Sequence, residues 1–138
     1  MDRGQPTRLA CTTVPVIVGV SAEVELTVTE TDTALAMRCG DVCVLATPRI
    51  VALAEEATMA ALSGHLAANE STVGTRVELA HLAPILVGSR VRATAVLEKT
   101  EGRRLVFNVA VTDEAGLVAA AKITRVIVDV AQFMEKAR

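Results

Sequence analysis

The feature that most constrains the fold is a run of four strand-like segments in the second half of the chain, joined by short connections. The alternating segments are residues 73–82, 89–100, 103–112 and 117–130. The last three are separated by Glu101-Gly102 and by Asp113-Glu114-Ala115-Gly116, which are typical turn sequences. Strands joined by such short turns pair antiparallel, because a parallel connection needs a dozen or more residues. The pattern therefore predicts an antiparallel meander.

One segment before the meander has helical character. Thr47-Pro48 predicts a helix start in which Thr47 is the N-cap and Pro48 takes the first helical position. Good helix formers follow, so we predict a helix over about 48–68. Residues 21–30 alternate like a half-buried strand, and residues 33–38 predict a second short strand. A lone helix needs a surface to bury against, and a curved sheet wrapped around it supplies one, so the fold class is α+β.

Composition narrows the classes of function. A chain of 138 residues suits a single domain, 1–138, and its formal charge of −2 with two aromatic residues disfavours nucleic-acid binding. No apolar run approaches the length of a membrane span, so we expect no membrane insertion. Three cysteines at irregular spacing, Cys11, Cys39 and Cys43, predict reduced thiols in a cytoplasmic protein. No metal-ligand cluster or Gly-rich phosphate loop is present.

Glu55 is the first candidate for chemistry. On a helical projection it falls in the middle of an arc formed by Val51, Thr58, Leu62 and Leu66. An unpaired carboxylate on such an arc is costly. Glu55 is therefore either a salt-bridged residue at the helix edge or a buried carboxylate that acts as a base or nucleophile.

His81 is the second candidate. It follows Val73, Val77 and Leu79 at a spacing of two, which predicts that it points to the buried face of its strand. A satisfied core histidine is the structural alternative. In a wrapped-helix fold, however, this face meets the helix, so His81 and Glu55 are expected to share a cleft.

Three other positions have two interpretations each. Capping would occupy the hydroxyl of Thr47 that a catalytic role needs, and eight residues of helix put Thr47 about 12 Å from Glu55. Arg125 lies at period two between isoleucines, which predicts an inward side chain in a buried ion pair. Arg103-Arg104 follows a hairpin turn, where a solvated edge is expected and contact with substrate phosphates is the alternative. His65 is expected to be exposed.

These residues resemble a known family. The segments that carry the resemblance are Ala46-Thr47 before a helix, Glu55 on that helix, Gly74-Thr75 opening a strand that ends at His81, Glu101-Gly102-Arg103-Arg104-Leu105, and Arg125-Val126-Ile127. Over residues 18–134 the chain resembles the hotdog-fold thioesterases, most closely the fluoroacetyl-CoA thioesterase branch. The spacings of 8 residues from Thr47 to Glu55 and 26 from Glu55 to His81 fit the family pattern.

The resemblance implies a five-stranded antiparallel sheet wrapped around one long helix. It also implies a homodimer whose sheets join side by side, with a dimer of dimers left open, and acyl-CoA bound near the interface. By resemblance, Thr47, Glu55 and His81 are the catalytic residues, and Gly74 lies near the acyl group. We place Arg125 with Gly74 in the substrate-binding set. The family uses no metal or redox cofactor, so coenzyme A is expected only as part of the substrate.

The expected reaction is hydrolysis of an acyl-CoA or acyl carrier protein thioester, with Glu55 attacking the carbonyl or directing a water onto it. One departure concerns the acyl group, because residues 39–46 lack the aromatic side chains that form the family's lid. Two alternatives remain: an acyl-CoA binder without activity and a hotdog enoyl-CoA hydratase. The hydratase is disfavoured because its carboxyl and imidazole groups lie close together on one segment, whereas Glu55 and His81 do not.

Overall fold

The computed structural model describes residues 14–138, so Cys11 lies outside the described residues. The elements are β1 Ser21–Thr27, α1 Thr47–Ala61, β2 Glu70–His81, β3 Arg90–Glu101, β4 Arg104–Asp113, β5 Gly116–Asp129 and α2 Val130–Glu135. A short 3-10 turn spans Glu30–Asp32. The α+β class and the five-stranded antiparallel sheet predicted from the sequence are confirmed.

The strands lie in the order β1-β3-β4-β5-β2, and all neighbours are antiparallel. The meander of β3, β4 and β5 follows the prediction. β2, the first strand after the helix, does not pair with β3 but crosses to the far side of β5. It is therefore an edge strand, with one edge that has no neighbour among the described residues.

Helix α1 packs on the inner face of this sheet. Its buried side chains are mostly small: Ile50, Leu53, Ala54, Ala57, Thr58 and Ala61. They meet large buried residues of the central strands, among them Leu97 of β3 and Phe107 of β4. Because the side chains of Ala54 and Ala57 are short, the helix backbone lies close to the sheet at these positions, while Ile50 and Leu53 fill the core from the helix.

Three predicted boundaries are wrong for local reasons. The helix ends at Ala61 rather than near residue 68, because Gly64 adopts a left-handed φ of 83° that helices do not contain. Residues 33–38 form turns instead of a strand, apart from a single bridge from Thr33 to Leu45. The chain turns helical again at Val130, where the Asp129 side chain accepts a hydrogen bond from the Gln132 N–H.

The start of α1 is anchored by a buried carboxylate. Asp32 accepts hydrogen bonds from the Thr29 N–H at 2.8 Å and from Arg49 Nε at 3.0 Å. Its backbone oxygen also accepts from the N–H of Ala46, directly before the helix. Burial works to raise the pKa of Asp32, but the hydrogen bonds from Thr29 and Arg49 outweigh it and hold the pKa below its ordinary value.

We predict that Asp32→Asn lowers the free energy of unfolding by about 2 kcal/mol at pH 7, because charge-assisted hydrogen bonds are lost. A depressed native pKa stabilises the fold above the unfolded value of about 3.9, and this stability is lost as pH falls through the native pKa. The difference in the free energy of unfolding between the variant and the wild type, measured by urea titration, should therefore become smaller below about pH 4. The exposed Asp41→Asn is the control, and an equal difference at pH 7 and pH 3 would contradict the prediction.

Candidate active site

The predicted site residues lie along the seam between α1 and the edge strand β2. The helix runs antiparallel to this strand, as shown by contacts of Thr47 with His81, Glu55 with Gly74, and Met59 with Thr72. We call this line of contacts the α1–β2 seam. It lies beside the buried face of the helix rather than beneath it.

At one end of the seam, Thr47 and His81 form a hydrogen-bonded pair. Thr47 Oγ1 is 2.8 Å from His81 Nδ1, and His81 Nε2 is 3.0 Å from the backbone oxygen of Ala83. A carbonyl oxygen only accepts, so Nε2 carries a hydrogen, and in the neutral ring Nδ1 accepts from the Thr47 hydroxyl. The backbone therefore fixes the tautomer, leaving the basic nitrogen directed at a hydroxyl.

The predicted N-cap role of Thr47 is wrong. Ala46 is the N-cap and makes no side-chain cap bond, while Thr47 is the first residue of the helix. A residue inside the helix does not cap it, so the Thr47 hydroxyl is available to His81. The conflict between capping and chemistry in the sequence is thereby resolved.

Glu55 lies further along the seam. It sits at the edge of the buried helix face, not in its middle as predicted, because the buried stripe is centred on Ala54 and Ala57. Its Oε2 accepts a hydrogen bond from Arg125 Nη1 at 3.0 Å, and the side chain remains 34% exposed. Among residues 14–138, Oε1 has no hydrogen-bond partner. Glu55 is thus held by one oxygen and free at the other.

Arg125 points inward from β5, as its spacing predicted, and its side chain is only 7% exposed. Its Nε donates to Thr72 Oγ1 at 2.8 Å and its Nη2 to the Thr72 backbone oxygen at 3.0 Å. Burial lowers the pKa of Arg125, while the Glu55 carboxylate acts in the opposite direction. The guanidinium stays protonated, and Glu55 supplies the countercharge that its burial requires.

Gly74 makes room for the carboxylate. A Cβ at this position would overlap Glu55 Oε2 and stand 3.4 Å from Arg125 Nη1. With no side chain there, Glu55 lies directly against the backbone of β2. Gly74, which the family resemblance places near the acyl group, is in contact with the carboxylate of Glu55.

A bulge sets which β2 side chains face the helix. The pairing with β5 slips between Gly74 and Arg76, leaving Thr75 without a partner. Beyond the slip, Val77, Leu79 and His81 oppose Ile123, Ala121 and Ala119. Gly74 opposes Arg125, which shares a face of β5 with Ile123, so Gly74 and His81 both face the helix. Val73 does not share that face, contrary to the prediction, because it precedes the bulge.

The structure therefore separates the predicted residues into two groups. Thr47 and His81 form the Thr47–His81 pair, and Glu55 and Arg125 form the Glu55–Arg125 pair beside Gly74. Within residues 14–138, no hydrogen bond joins one pair to the other. Eight residues of helix separate Thr47 from Glu55 by about 12 Å, so one chain presents two half-sites.

Sequence reasoning did not identify Thr72. The residue is buried and provides both acceptors that hold the inner edge of the Arg125 guanidinium. An inward arginine does require acceptors on a neighbouring strand. This requirement would have pointed to Thr72 only if the pairing of β2 with β5 were known, and the sequence pattern does not show that pairing.

The remaining candidates have structural partners. Arg103 donates to Glu70 at 2.9 Å and to the backbone oxygen of Ile127 at 3.0 Å. His65 Nδ1 lies 3.1 Å from the backbone oxygens of residues 14 and 15. In the part of the chain that the structure describes, no three His, Cys, Asp or Glu side chains are grouped to hold a metal ion. None of the helices described is long and apolar enough to cross a membrane.

The sequence matches a protein family and a characterised relative. Residues 28–131 match the family model described as the fluoroacetyl-CoA-specific thioesterase, FlK. The fluoroacetyl-CoA thioesterase of Streptantibioticus cattleyicolor is 32% identical over 95 residues, which make up 69% of this chain and 68% of that protein.

Solved structures of related proteins share the fold of this chain. The fluoroacetyl-CoA thioesterase FlK superposes with a TM-score of 0.85 at 26% identity, covering 91% of this chain and 97% of that chain. A hot-dog-like protein from Thermanaerovibrio acidaminovorans superposes with a TM-score of 0.80 at 24% identity, covering 86% of this chain and 88% of that chain, which supports the fold. With a family match over most of its length and this shared hotdog fold, the chain belongs to the fluoroacetyl-CoA-specific thioesterase family.

Proposed function

We propose that this thioesterase hydrolyses acyl-CoA to a free acid and coenzyme A, with Glu55, His81 and Thr47 as its reacting groups. One observation carries the assignment. The α1–β2 seam presents a carboxylate with an unbonded oxygen and an imidazole of fixed tautomer on one side of the sheet. Thioester hydrolysis requires a group that attacks the carbonyl and a group that transfers a proton to the leaving thiolate, and the carboxylate and the imidazole can fill these roles.

The reaction balances without a cofactor. Glu55 Oε1 attacks the thioester carbon, the C–S bond breaks, and its electron pair leaves on the thiolate. Water then adds to the acyl–Glu55 anhydride, releasing the acid and restoring the carboxylate. His81 Nε2 is bonded to Ala83 and Nδ1 accepts from Thr47, so the Thr47 hydroxyl takes the proton from water as it gives its own hydrogen to Nδ1. The reverse transfer through Thr47 then delivers a proton to the thiolate. In the alternative that the sequence left open, Glu55 instead takes a proton from a water that attacks the thioester directly.

The exposed edge of the sheet supports the proposal of a homodimer. Residues 74–78 of β2 are all exposed, and they include the apolar Val77. An open edge of this kind presents unpaired N–H and C=O groups to a second strand. In the proposed homodimer, two copies pair their β2 strands about a two-fold axis and form one continuous sheet. A dimer of dimers is a further assembly, and the molecular mass in solution would distinguish it from a dimer.

The dimer would also unite the two half-sites. Antiparallel pairing of β2 with its copy brings the Gly74 end of one strand toward the His81 end of the other. The Glu55–Arg125 pair of one subunit would then face the partner subunit's Thr47–His81 pair. This arrangement accounts for a pair of half-sites that one chain keeps apart.

The acyl group is expected to differ from fluoroacetate. The turns that precede α1 carry exposed aliphatic residues, Leu35, Met37 and Val42, where the family has an aromatic lid. Aliphatic side chains leave a wider and more adaptable wall, which favours a medium or branched acyl chain. Within residues 14–138 Cys39 and Cys43 form no disulfide, which supports the cytoplasmic location that we propose.

We predict that Glu55→Gln and His81→Ala each lower kcat/KM for thiol release about 10²–10⁴-fold, because each removes a group that transfers a proton or attacks carbon. A panel of short to long acyl-CoAs and one acyl carrier protein thioester identifies the substrate. Glu56→Gln and His65→Ala are matched controls away from the seam and should retain activity. If the wild type binds an acyl-CoA without releasing thiol, the protein is a binder. If it hydrates an enoyl-CoA, it is a hydratase.

The composite site predicts complementation. When inactive Glu55→Gln and His81→Ala chains are unfolded together and refolded at equal amounts, about half of the dimers are mixed, each with one intact site. Thiol release should recover to about a quarter of the wild-type rate. If both groups act within one chain, every site carries a lesion and no activity returns.

We also predict that Gly74→Ala lowers kcat/KM about 100-fold, because a methyl group displaces Glu55 from its position beside Arg125. The backbone of Gly74 is not in the left-handed region, so the substitution adds no backbone strain. A thermal unfolding midpoint close to that of the wild type, measured alongside thiol release, separates displacement from unfolding. Full activity in the folded variant would contradict the placement of Glu55.

A further inference from the structure

Thr72 lies two residues before Gly74 on β2 and is 4% exposed. Its hydroxyl oxygen accepts from Arg125 Nε at 2.8 Å, and its hydroxyl hydrogen is directed to Met59 Sδ at 3.3 Å. Its backbone oxygen accepts from Arg125 Nη2 at 3.0 Å. One residue of the edge strand therefore makes two hydrogen bonds to the same guanidinium.

These two bonds use adjacent nitrogens of a rigid, planar group. Nε–H and one Nη2–H form a fork, and both prongs end on Thr72. The plane of the guanidinium is thereby fixed, which aims Nη1 at Glu55 Oε2. Without the hydroxyl, Thr72 would hold the guanidinium through its backbone oxygen alone, and the plane of the group would be less firmly fixed.

Glu55 has little else to hold it. Its side chain is flexible and partly exposed, and among the described residues Arg125 makes its one side-chain hydrogen bond. Gly74 provides space but no donor from a side chain. The direction of the free oxygen Oε1 therefore depends on where Arg125 places Oε2.

We infer that Thr72 is a positioning residue for hydrolysis, which sets the guanidinium of Arg125 and through it the attacking oxygen of Glu55. The inference rests on the proposed role of Glu55. Thr72 touches neither substrate nor Glu55 in this account, and its hydroxyl acts only through Arg125.

Thr72→Val tests the hydroxyl with little change in shape. We expect kcat to fall about tenfold with KM within about twofold, and Thr72→Ser to restore kcat to within about threefold of the wild type. In an Arg125→Lys background, which has no fork, Thr72→Val should add less than about a twofold loss. Equal thermal midpoints of the serine and valine variants would separate positioning from stability, and Thr72→Ala replaces the valine variant if that one does not fold.

We call the two hydrogen bonds from Arg125 to Thr72 the clamp, and an NMR signal can detect it without an activity assay. The Arg125 Nε–H, assigned by its loss in Arg125→Lys, should exchange slowly in the wild type and in Thr72→Ser, and rapidly in Thr72→Val. A rapidly exchanging signal in the wild type would overturn the inference, as would a folded valine variant with unchanged kcat. If the wild type releases no thiol from any acyl-CoA while the slow signal is present, the proposed function fails and the clamp remains.

Discussion

A helix that lies on the inner face of a curved sheet fixes the depth of every side chain along its edges. In α1 three of the six buried residues are alanines, and Ala54 and Ala57 have no exposed surface. The helix backbone therefore comes close enough for a carboxylate at its edge to rest on the backbone of β2 at Gly74. Larger side chains at these positions would lift the helix and draw Glu55 away from the strand. The carboxylate of Glu55 is therefore placed by core packing, not by a loop.

The two members of the Glu55–Arg125 pair differ in their exposure to solvent. Removing one partner of a buried ion pair costs about 3–5 kcal/mol, because the other charge is left uncompensated. Arg125 is the buried member, whereas Glu55 keeps one side open to solvent. The desolvation cost thus falls mainly on Arg125, and Oε1 of Glu55 stays accessible. A variant that keeps an acceptor at position 55 is for this reason a gentler test than one that removes the side chain.

Much of the architecture could be predicted because it is written in local patterns. Alternation located β3, β4 and β5, and Thr47-Pro48 located the start of the helix to within a residue. Other features depend on contacts between distant segments. The place of β2 beside β5, the bulge at Thr75 and the clamp of Thr72 on Arg125, 53 residues away, are properties of strand pairing. Periodicity also placed Glu55 in the middle of the buried arc, since it does not reveal how far around the helix the sheet extends.

The bulge in β2 has a consequence for how related chains can be aligned and altered. Gly74 and His81 are 7 residues apart, and in a regular strand an odd separation puts two side chains on opposite faces. The unpaired Thr75 absorbs one residue, so both face the helix. The arrangement therefore needs the bulge and the odd spacing together, and a chain without the bulge would need an even spacing to keep it. Deleting Thr75 would remove the bulge and leave an even spacing, so both residues would still face the helix. A deletion elsewhere in this stretch that kept the bulge would turn one of the two away from the helix while leaving every residue of the site in the sequence.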